Sequence, residues 1–157
     1  MELNSHNKKE YPPMHSAEHI LNQTMIRMFG CERSKNSHIE RKKSKCDYFL
    51  TVEPSLQEIA EIENRVNEVI AQNMTVSNSL VSRENVPDCI DLSKLPENVS
   101  QTLRLVYVGE YDTCACIGEH VNNTNEIGKF RILSSDYAEG KVRIRFKLED
   151  CPYISVE

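Results

Sequence analysis

The stretch "GKFRILSSDYAEGKVRIRFKLE", residues 128–149, contains two runs in which apolar and polar residues alternate. Alternation with a period of two is typical of a strand that buries one face. The runs are separated near Glu139-Gly140, a common turn signal between paired strands. The stretch therefore predicts an antiparallel hairpin.

A second stretch, "SLQEIAEIENRVNEVIAQN" at residues 55–73, has the helical period instead. Ser55 and Glu58 have the spacing of a capping box, which marks a helix start. The apolar residues fall on one stripe: Leu56, Ile59, Ile62, Val66, Val69 and Ile70. This stretch therefore predicts an amphipathic helix.

The stretch "MHSAEHILNQTMIRMF", residues 14–29, predicts the other main helix, which ends near Gly30. One broad face carries Ala17, Ile20, Leu21, Thr24 and Met28. The other side carries His15, His19, Asn22, Gln23 and Ile26, so the histidines are expected to lie off the main core stripe. Residues 1–13 are polar, end in two prolines, and are expected to form a flexible arm.

Shorter strands are predicted between these elements. They cover residues 36–40, 46–53, 74–82 and 102–111, with a loop over 83–100. Because strands and helices do not alternate regularly, the α+β class is favoured over a parallel sheet. We therefore expect one domain over residues 14–157, with a mostly antiparallel sheet packed with two main helices.

Composition limits the classes of function. With 157 residues, 39% hydrophobic and 27% charged, the chain suits one globular domain. It shows no apolar run of membrane-span length and no leader, so a cytoplasmic location without membrane association is expected. The six cysteines are then expected to be reduced thiols or metal ligands. The net charge of −5 argues against a general nucleic-acid coat but leaves room for a local basic site.

Two short histidine and cysteine pairs share the same spacing. His15 and His19 lie four apart on a predicted helix, and Cys116 and His120 repeat that spacing far along the chain. Three imidazoles and one thiol make a donor set suited to tetrahedral Zn²⁺. The alternatives are a solvated helix face for the histidines and a buried strand position for Cys116 and Cys114. Cys114 is the candidate to bind the metal ion if one of these four residues does not.

Three motifs occur in this order along the chain: "HSAEH", "IENRVNEVI" and "CIGEHVNNTNEIGKFRI". Together they resemble the editing domain shared by alanyl- and threonyl-tRNA synthetases, over about residues 12–150. The small size resembles the freestanding AlaX type of editing protein. The last motif matches the family at Gly118, His120, Val121, Asn123, Thr124, Glu126, Ile127 and Gly128.

The sequence departs from the family pattern at three positions. Ile117 replaces a glycine, and Asn125 replaces the turn glycine, where asparagine tolerates a left-handed conformation. Glu119 replaces a threonine next to the ligand His120. The Glu119 carboxylate is a candidate for binding the substrate ammonium group or acting as general base, and the alternative is a side chain that faces solvent.

The resemblance implies a zinc-dependent hydrolase that removes serine or glycine from mischarged tRNA-Ala in trans, with the tRNA acceptor end as its partner. Four protein ligands would close a tetrahedral site, so His120 is expected to be the weakest ligand. The alternatives are a zinc-stabilised tRNA-binding module without turnover and a zinc hydrolase of small esters or amides.

Two basic patches are candidates for RNA binding. Arg41, Lys42 and Lys43 lie in a predicted turn. Arg143 and Arg145 share one face of the last strand. Either patch could bind phosphates, and the alternative for each is a solvated surface.

Overall fold

Two helices and seven strands form the part of the chain that the computed structural model describes, residues 11–86 and 102–153. In chain order they are α1 (Pro12–Phe29), β1 (Asn36–His38), β2 (Ser44–Phe49), α2 (Leu56–Ala71), β3 (Val76–Ser82), β4 (Thr102–Val108), β5 (Asp112–Ala115), β6 (Lys129–Ala138) and β7 (Lys141–Glu149). The strands form two antiparallel sheets, with the orders β1-β2-β7-β6 and β3-β4-β5. The predicted α+β class is therefore confirmed.

The C-terminal hairpin forms as predicted. Glu139 and Gly140 form the turn, with φ angles of 52° and 77°. Positive φ angles at both turn residues give a two-residue turn the same twist as the strands that it joins. The rings of Phe130 and Phe146 pack beneath it with centroids 5.1 Å apart. The inward side chains of β7 are buried, namely Val142, Ile144 and Phe146. The basic side chains of β7 therefore lie on its outer face.

Helix α2 also starts as predicted. The Ser55 hydroxyl accepts a hydrogen bond from the backbone N–H of Glu58, whose carboxylate accepts one from the N–H of Ser55. Asn67 bonds both the N–H and the C=O of Phe130, which ties α2 to β6. The buried stripe consists of Ile62, Val66, Val69 and Ile70. Leu56 was expected on this stripe but is 88% exposed.

Helix α1 begins at Pro12, two residues before the predicted start. Proline is tolerated in the first turn of a helix because the backbone N–H that it lacks would have no partner within the helix there. The helix is buried on nearly every side. The histidine side, expected off the core stripe, is buried too: His19 and Asn22 are each only 3% exposed. The reason is that His19 lies beside Asp112 of β5, and Asn22 accepts a hydrogen bond from Tyr48 of β2. Residues 1–10 of the predicted arm lie outside the described residues.

Strand β5 was not predicted as a strand. The predicted strand at 102–111 ends at Val108, and the chain turns at Gly109 and returns antiparallel to β4. The predicted loop at 83–100 begins with a short 3-10 turn at Arg83–Asn85, and its residues 87–100 lie outside the described part. None of the described helices is both long and apolar enough to cross a membrane.

One apolar core joins both helices and both sheets. Its members include Ile20 and Leu21 of α1, Ile62 and Val66 of α2, Tyr48, Ile144 and Phe146 of the larger sheet, and Val76, Val106 and Val108 of the smaller sheet. Helix α1 is thus fixed against α2 on one side and β5 on the other, which places its histidines beside the end of β5.

Candidate metal centre

The four predicted ligands meet at one point. His15 and His19 come from α1, and Cys116 and His120 come from the loop that follows β5. One donor atom from each lies within 4.8 Å of the other three, and this group could hold a metal ion. The ring centroid of His120 lies 4.3 Å from that of His15 and 4.4 Å from that of His19. The Cys116 Sγ lies 3.5 Å from the His15 Nε2.

The loop that carries Cys116 is shaped by its own backbone and by β4. The N–H of Gly118 donates to Cys116 Sγ at 3.4 Å. The guanidinium of Arg104 donates to the carbonyls of Cys116 and Gly118. These bonds fold the loop back so that Cys116 and His120 point toward α1.

The motif after His120 anchors the other end of the loop. Asn123 caps a short 3-10 turn at Thr124–Glu126, and the hydroxyl of Thr124 donates to the carbonyl of Ile70 at the end of α2. Asn125 lies inside this turn and does not take the left-handed conformation expected there. That conformation falls on Gly128, with φ 88°, where a Cβ would lie 2.6 Å from a backbone oxygen of Glu149.

Each imidazole directs its Nδ1 at the protein. The Nδ1 of His15 lies 3.2 Å from the carbonyl oxygen of Glu119, and that of His120 lies 3.0 Å from the hydroxyl of Ser16. The Nδ1 of His19 lies 3.6 Å from a carboxylate oxygen of Asp112. Such partners fix the tautomer and the ring plane of metal-binding histidines. Each ring is therefore left with Nε2 as the atom that can bind a metal.

Two imidazole nitrogens at this centre are buried without a hydrogen bond within the described residues. One is the Nδ1 of His19, which lies 3.6 Å from Asp112, and the other is the Nε2 of His120. Buried polar atoms in native proteins are nearly always satisfied. A metal ion at the meeting point of the four donors would satisfy the Nε2 of His120, so the residues present fit such an ion.

The protonation states of two of the donors, Cys116 and His120, also suit metal binding. Burial opposes ionisation of Cys116, but contacts with the imidazoles of His120, His15 and His19 lower the pKa of this thiol to about 2. Burial lowers the pKa of His120 to about 4. The resulting thiolate and neutral imidazole are the forms that bind metals. Burial raises the pKa of Cys114 to about 12, and Cys114 lies outside the four-donor group.

Asp112 supports the centre from behind. It is only 2% exposed and accepts two hydrogen bonds from Arg33, at 2.7 and 2.9 Å, and one from Gln23 at 2.8 Å. Burial opposes its ionisation, but the nearby imidazole of His19 and the bonds from Arg33 hold the pKa of Asp112 below its usual range. Asp112 is therefore a carboxylate that orients His19.

Two carboxylates near the centre differ in placement. Glu119, the residue singled out in the sequence, is exposed and lies at the rim of an open pocket of about 260 Å³ that His120 also lines. Glu18, which sequence analysis missed, is only 4% exposed, and its Oε1 lies 3.7 Å from the His15 Nε2.

Sequence signals existed for both missed residues. Glu18 lies three positions after His15 inside "HSAEH", so the two share a helix face. Asp112, Cys114 and Cys116 alternate along "DTCAC", which places them on one side of an extended segment.

The two predicted basic patches have different surroundings. Arg143 donates to Asp47 at 2.7 and 2.9 Å, and Arg145 pairs with Asp136, so opposite charges balance the outer face of β7. Arg41, Lys42 and Lys43 are exposed in the turn between β1 and β2. The guanidinium of Arg41 lies 4.9 Å from the ring centroid of Tyr11.

Comparison with known proteins gives relatives for most of the chain. Residues 103–145 match the family described as the threonyl and alanyl tRNA synthetase second additional domain. The chain is 36% identical to an alanine–tRNA ligase of Methylacidiphilum infernorum over 121 residues, 76% of this chain and 13% of that protein. It is 29% identical to that of Neisseria meningitidis serogroup B over 130 residues, 82% of this chain and 15% of that protein. The chain spans about one seventh of these curated relatives' length.

The fold and the family match together indicate the class: an α+β domain related to the second additional domain of threonyl and alanyl tRNA synthetases, with a cluster that could hold a metal ion. Within that class, this chain is similar to one segment of alanine–tRNA ligases. The resemblance found in the sequence motifs is thereby confirmed.

Proposed function

We propose that this chain is a metal-dependent aminoacyl-tRNA deacylase. It hydrolyses the ester between a wrongly attached serine or glycine and the terminal ribose of tRNA-Ala, in trans and in the cytoplasm. The observation that carries the proposal is the meeting of His15, His19, Cys116 and His120, within a chain related to alanine–tRNA ligases.

Zinc is the ion that these donors favour, because imidazole nitrogen and thiolate sulfur are its usual ligands. When bound, zinc supplies Lewis acidity toward an ester carbonyl or lowers the pKa of a bound water toward about 7. Three neutral imidazoles and one thiolate leave a net positive charge at the centre, which suits it to a developing oxyanion.

The surrounding residues keep the donors in place during turnover. Asp112 holds His19, and the carbonyl of Glu119 holds His15. Ser16 contacts the Nδ1 of His120 and also accepts a hydrogen bond from the N–H of Val121 at 3.2 Å. Ser16 thus links α1 to the loop that carries His120, and His120 lines the pocket.

The substrate is proposed to enter the pocket beside His120. This pocket, of about 260 Å³, is bordered by Asn78, Arg104 and Glu119. Its size suits a small amino acid, and its polar lining suits an ammonium group and a ribose. Glu119 at the rim is proposed to bind the ammonium group, since a carboxylate and a cation attract at short range.

The partner is proposed to be the acceptor end of a mischarged tRNA. Of the two basic patches, the turn at Arg41, Lys42 and Lys43 is favoured for phosphate contact. The charges of Arg143 and Arg145 are balanced by acidic neighbours, which would compete with RNA.

A deacylation screen tests the proposal. Serine, glycine, alanine and threonine esters on tRNA-Ala and on other tRNAs are incubated with the full chain, and small aminoacyl esters are tested alongside. Hydrolysis of seryl- or glycyl-tRNA-Ala with alanyl-tRNA-Ala spared supports it. Binding of charged tRNA without turnover would indicate a binding module, and turnover of small esters alone would indicate a small-ester hydrolase.

A matched pair of cysteine variants ties any activity to the metal centre. We expect Cys116→Ala to lose both bound zinc and deacylation. Cys31→Ala removes a thiol outside the donor group and should keep both. Unchanged metal content in Cys116→Ala would contradict the proposed ligand set.

A further inference from the structure

We propose that Tyr11, Tyr153 and Arg41 form a stacking site for a nucleobase of a single-stranded RNA 3′ end, beside the pocket of the metal centre. The identity of the RNA rests on the proposed function. The site is distinct from the candidate metal ligands, and it joins their pocket to the charged turn, of which Arg41 is a part.

The three side chains form a continuous series of contacts. Tyr153 borders the same pocket as His120 and Glu119. The rings of Tyr153 and Tyr11 meet edge to face, with centroids 5.8 Å apart and an interplanar angle of 89°. The guanidinium of Arg41 then lies over the ring of Tyr11, 4.9 Å from its centroid. The series thus leads from the pocket to the basic turn.

The position of Tyr11 is fixed relative to the metal centre. Its carbonyl accepts hydrogen bonds from the N–H groups of Met14 and His15, at 3.0 and 3.1 Å. Tyr11 therefore belongs to the same helical turn as the ligand His15, and a base stacked against it would be held at a set place relative to the ion.

The segment that carries Tyr153 is fixed as well. The hydroxyl of Tyr11 donates to the Sγ of Cys151 at 3.3 Å, and that thiol donates to the carbonyl of Glu126 at 3.3 Å. Glu126 belongs to the turn that anchors the ligand loop. Both tyrosine rings remain partly exposed, so they can contact a ligand.

Aromatic rings beside cations are the usual means of binding single-stranded nucleic acid. Every base has a π face that can stack on an aromatic side chain, whatever its identity. Arginine over an aromatic ring adds a cation that suits the adjoining phosphate. An ester on the terminal ribose brings its own base close to the hydrolytic centre, so a base site must lie next to the pocket, as Tyr153 does.

The test uses an RNA hairpin with a single-stranded 3′ end whose last base is 2-aminopurine, and the same hairpin with a blunt end. Stacking quenches 2-aminopurine fluorescence. We expect Tyr153→Leu to bind the hairpin with the single-stranded end roughly tenfold more weakly than wild type does, and to lose the fluorescence quench. Its affinity for the blunt hairpin should equal that of wild type. Tyr153→Phe keeps the ring and should keep the quench.

A second pair of variants uses surface residues. Arg41→Gln and Lys42→Gln each remove one positive charge from the same turn, but only Arg41 contacts the ring of Tyr11. We expect Arg41→Gln to reduce the quench and weaken binding of the overhanging hairpin more than Lys42→Gln does. Zinc content is measured in every variant as a check on the metal centre.

Equal losses for the two hairpins, an unchanged quench in Tyr153→Leu, or identical effects of Arg41→Gln and Lys42→Gln would each overturn the stacking site. If wild type deacylates charged tRNA but the variants give any of these contradicting outcomes, the stacking site alone is wrong. If wild type neither binds the hairpins nor deacylates, the proposed function fails with it.

Discussion

At the scale of single residues, the candidate metal centre has buried carboxylates beside two of its four donors. Glu18 is buried against the ligand atom of His15, and Asp112 is buried against His19. Such outer carboxylates orient imidazoles and add negative charge near a cation. Glu18 and Asp112 are buried, whereas the side chain of Glu119 is exposed at the pocket rim.

The first prediction compares these carboxylates. Glu18→Gln should weaken zinc binding by roughly 10–100-fold, because it removes a buried negative charge beside His15. Glu119→Gln should leave zinc affinity as it is and change only substrate binding. Competition with a chromophoric chelator measures both affinities. Weakened zinc binding in Glu119→Gln with none in Glu18→Gln would reverse the assigned roles.

The second prediction concerns Asp112 and Arg33. Asp112→Asn should lose zinc affinity and also destabilise the metal-free protein by about 3–5 kcal/mol, since it leaves the buried guanidinium of Arg33 unpaired. Adding Arg33→Met should recover much of the stability but not the zinc affinity. Urea denaturation and chelator competition measure the two effects. Recovery of zinc affinity in the double variant would argue against a role for Asp112 in orienting His19.

At the scale of secondary structure, the outer face of β7 and the turn between β1 and β2 have different roles. The hydrogen bond from Arg143, acting against burial, holds the pKa of Asp47 below its usual value. A carboxyl with a lowered pKa in the folded state stabilises the protein above its unfolded pKa of about 4. That contribution is lost as the pH falls through the folded-state pKa.

The third prediction follows from this pairing. Arg143→Gln should lower stability at pH 7 and have a smaller effect at acidic pH, because Asp47 loses its charge, and with it the pairing to Arg143, as the pH falls through its lowered folded-state pKa. RNA affinity should change little. Arg41→Gln should do the opposite, with weakened RNA binding and unchanged stability. Denaturation at pH 7 and at acidic pH and RNA titration test this, and a large RNA-binding defect in Arg143→Gln alone would favour β7 as the RNA surface.

Elements with complete local signals were predictable from the sequence. The hairpin has strict alternation in β7 after the turn at Glu139-Gly140, and α2 has its capping box, so both could be placed from neighbouring residues. Strand β5 has only four residues and no apolar alternation, and its pairing with β4 is decided by the turn at Gly109.

Burial of the polar side of α1 depends on partners distant in sequence. Asn22 is buried because the hydroxyl of Tyr48 donates to its side chain at 2.6 Å, and His19 is buried beside Asp112. The clustering of the four candidate ligands could be anticipated because each pair has a local spacing. Glu18 and Asp112 were missed because their roles depend on contacts that form only in the folded chain.

At the scale of the whole molecule, the metal centre joins segments that are far apart in the sequence. His15 and His19 lie in the first helix, and Cys116 and His120 follow β5. An ion bound by all four would hold α1 against the smaller sheet. Binding to the folded state alone stabilises it by mass action, so folding and metal binding are expected to be linked.

The fourth prediction measures that linkage. Zinc at a thousandfold excess over its dissociation constant should stabilise the wild-type fold by about 4 kcal/mol. Chelator should lower the midpoint of thermal unfolding accordingly. Cys116→Ala should show little response to either treatment, while Cys31→Ala responds as wild type does. An equal response in both variants would mean that zinc binds elsewhere.

The most direct test of the central claim is the rate of seryl-tRNA-Ala deacylation as zinc is added to metal-free protein. We expect the rate to rise with zinc and to level off at one ion per chain, with no rise in Cys116→Ala. Metal-free wild type that deacylates at the full rate, or a fully loaded protein that leaves seryl-tRNA-Ala intact, would contradict the assignment of this chain as a metal-dependent deacylase.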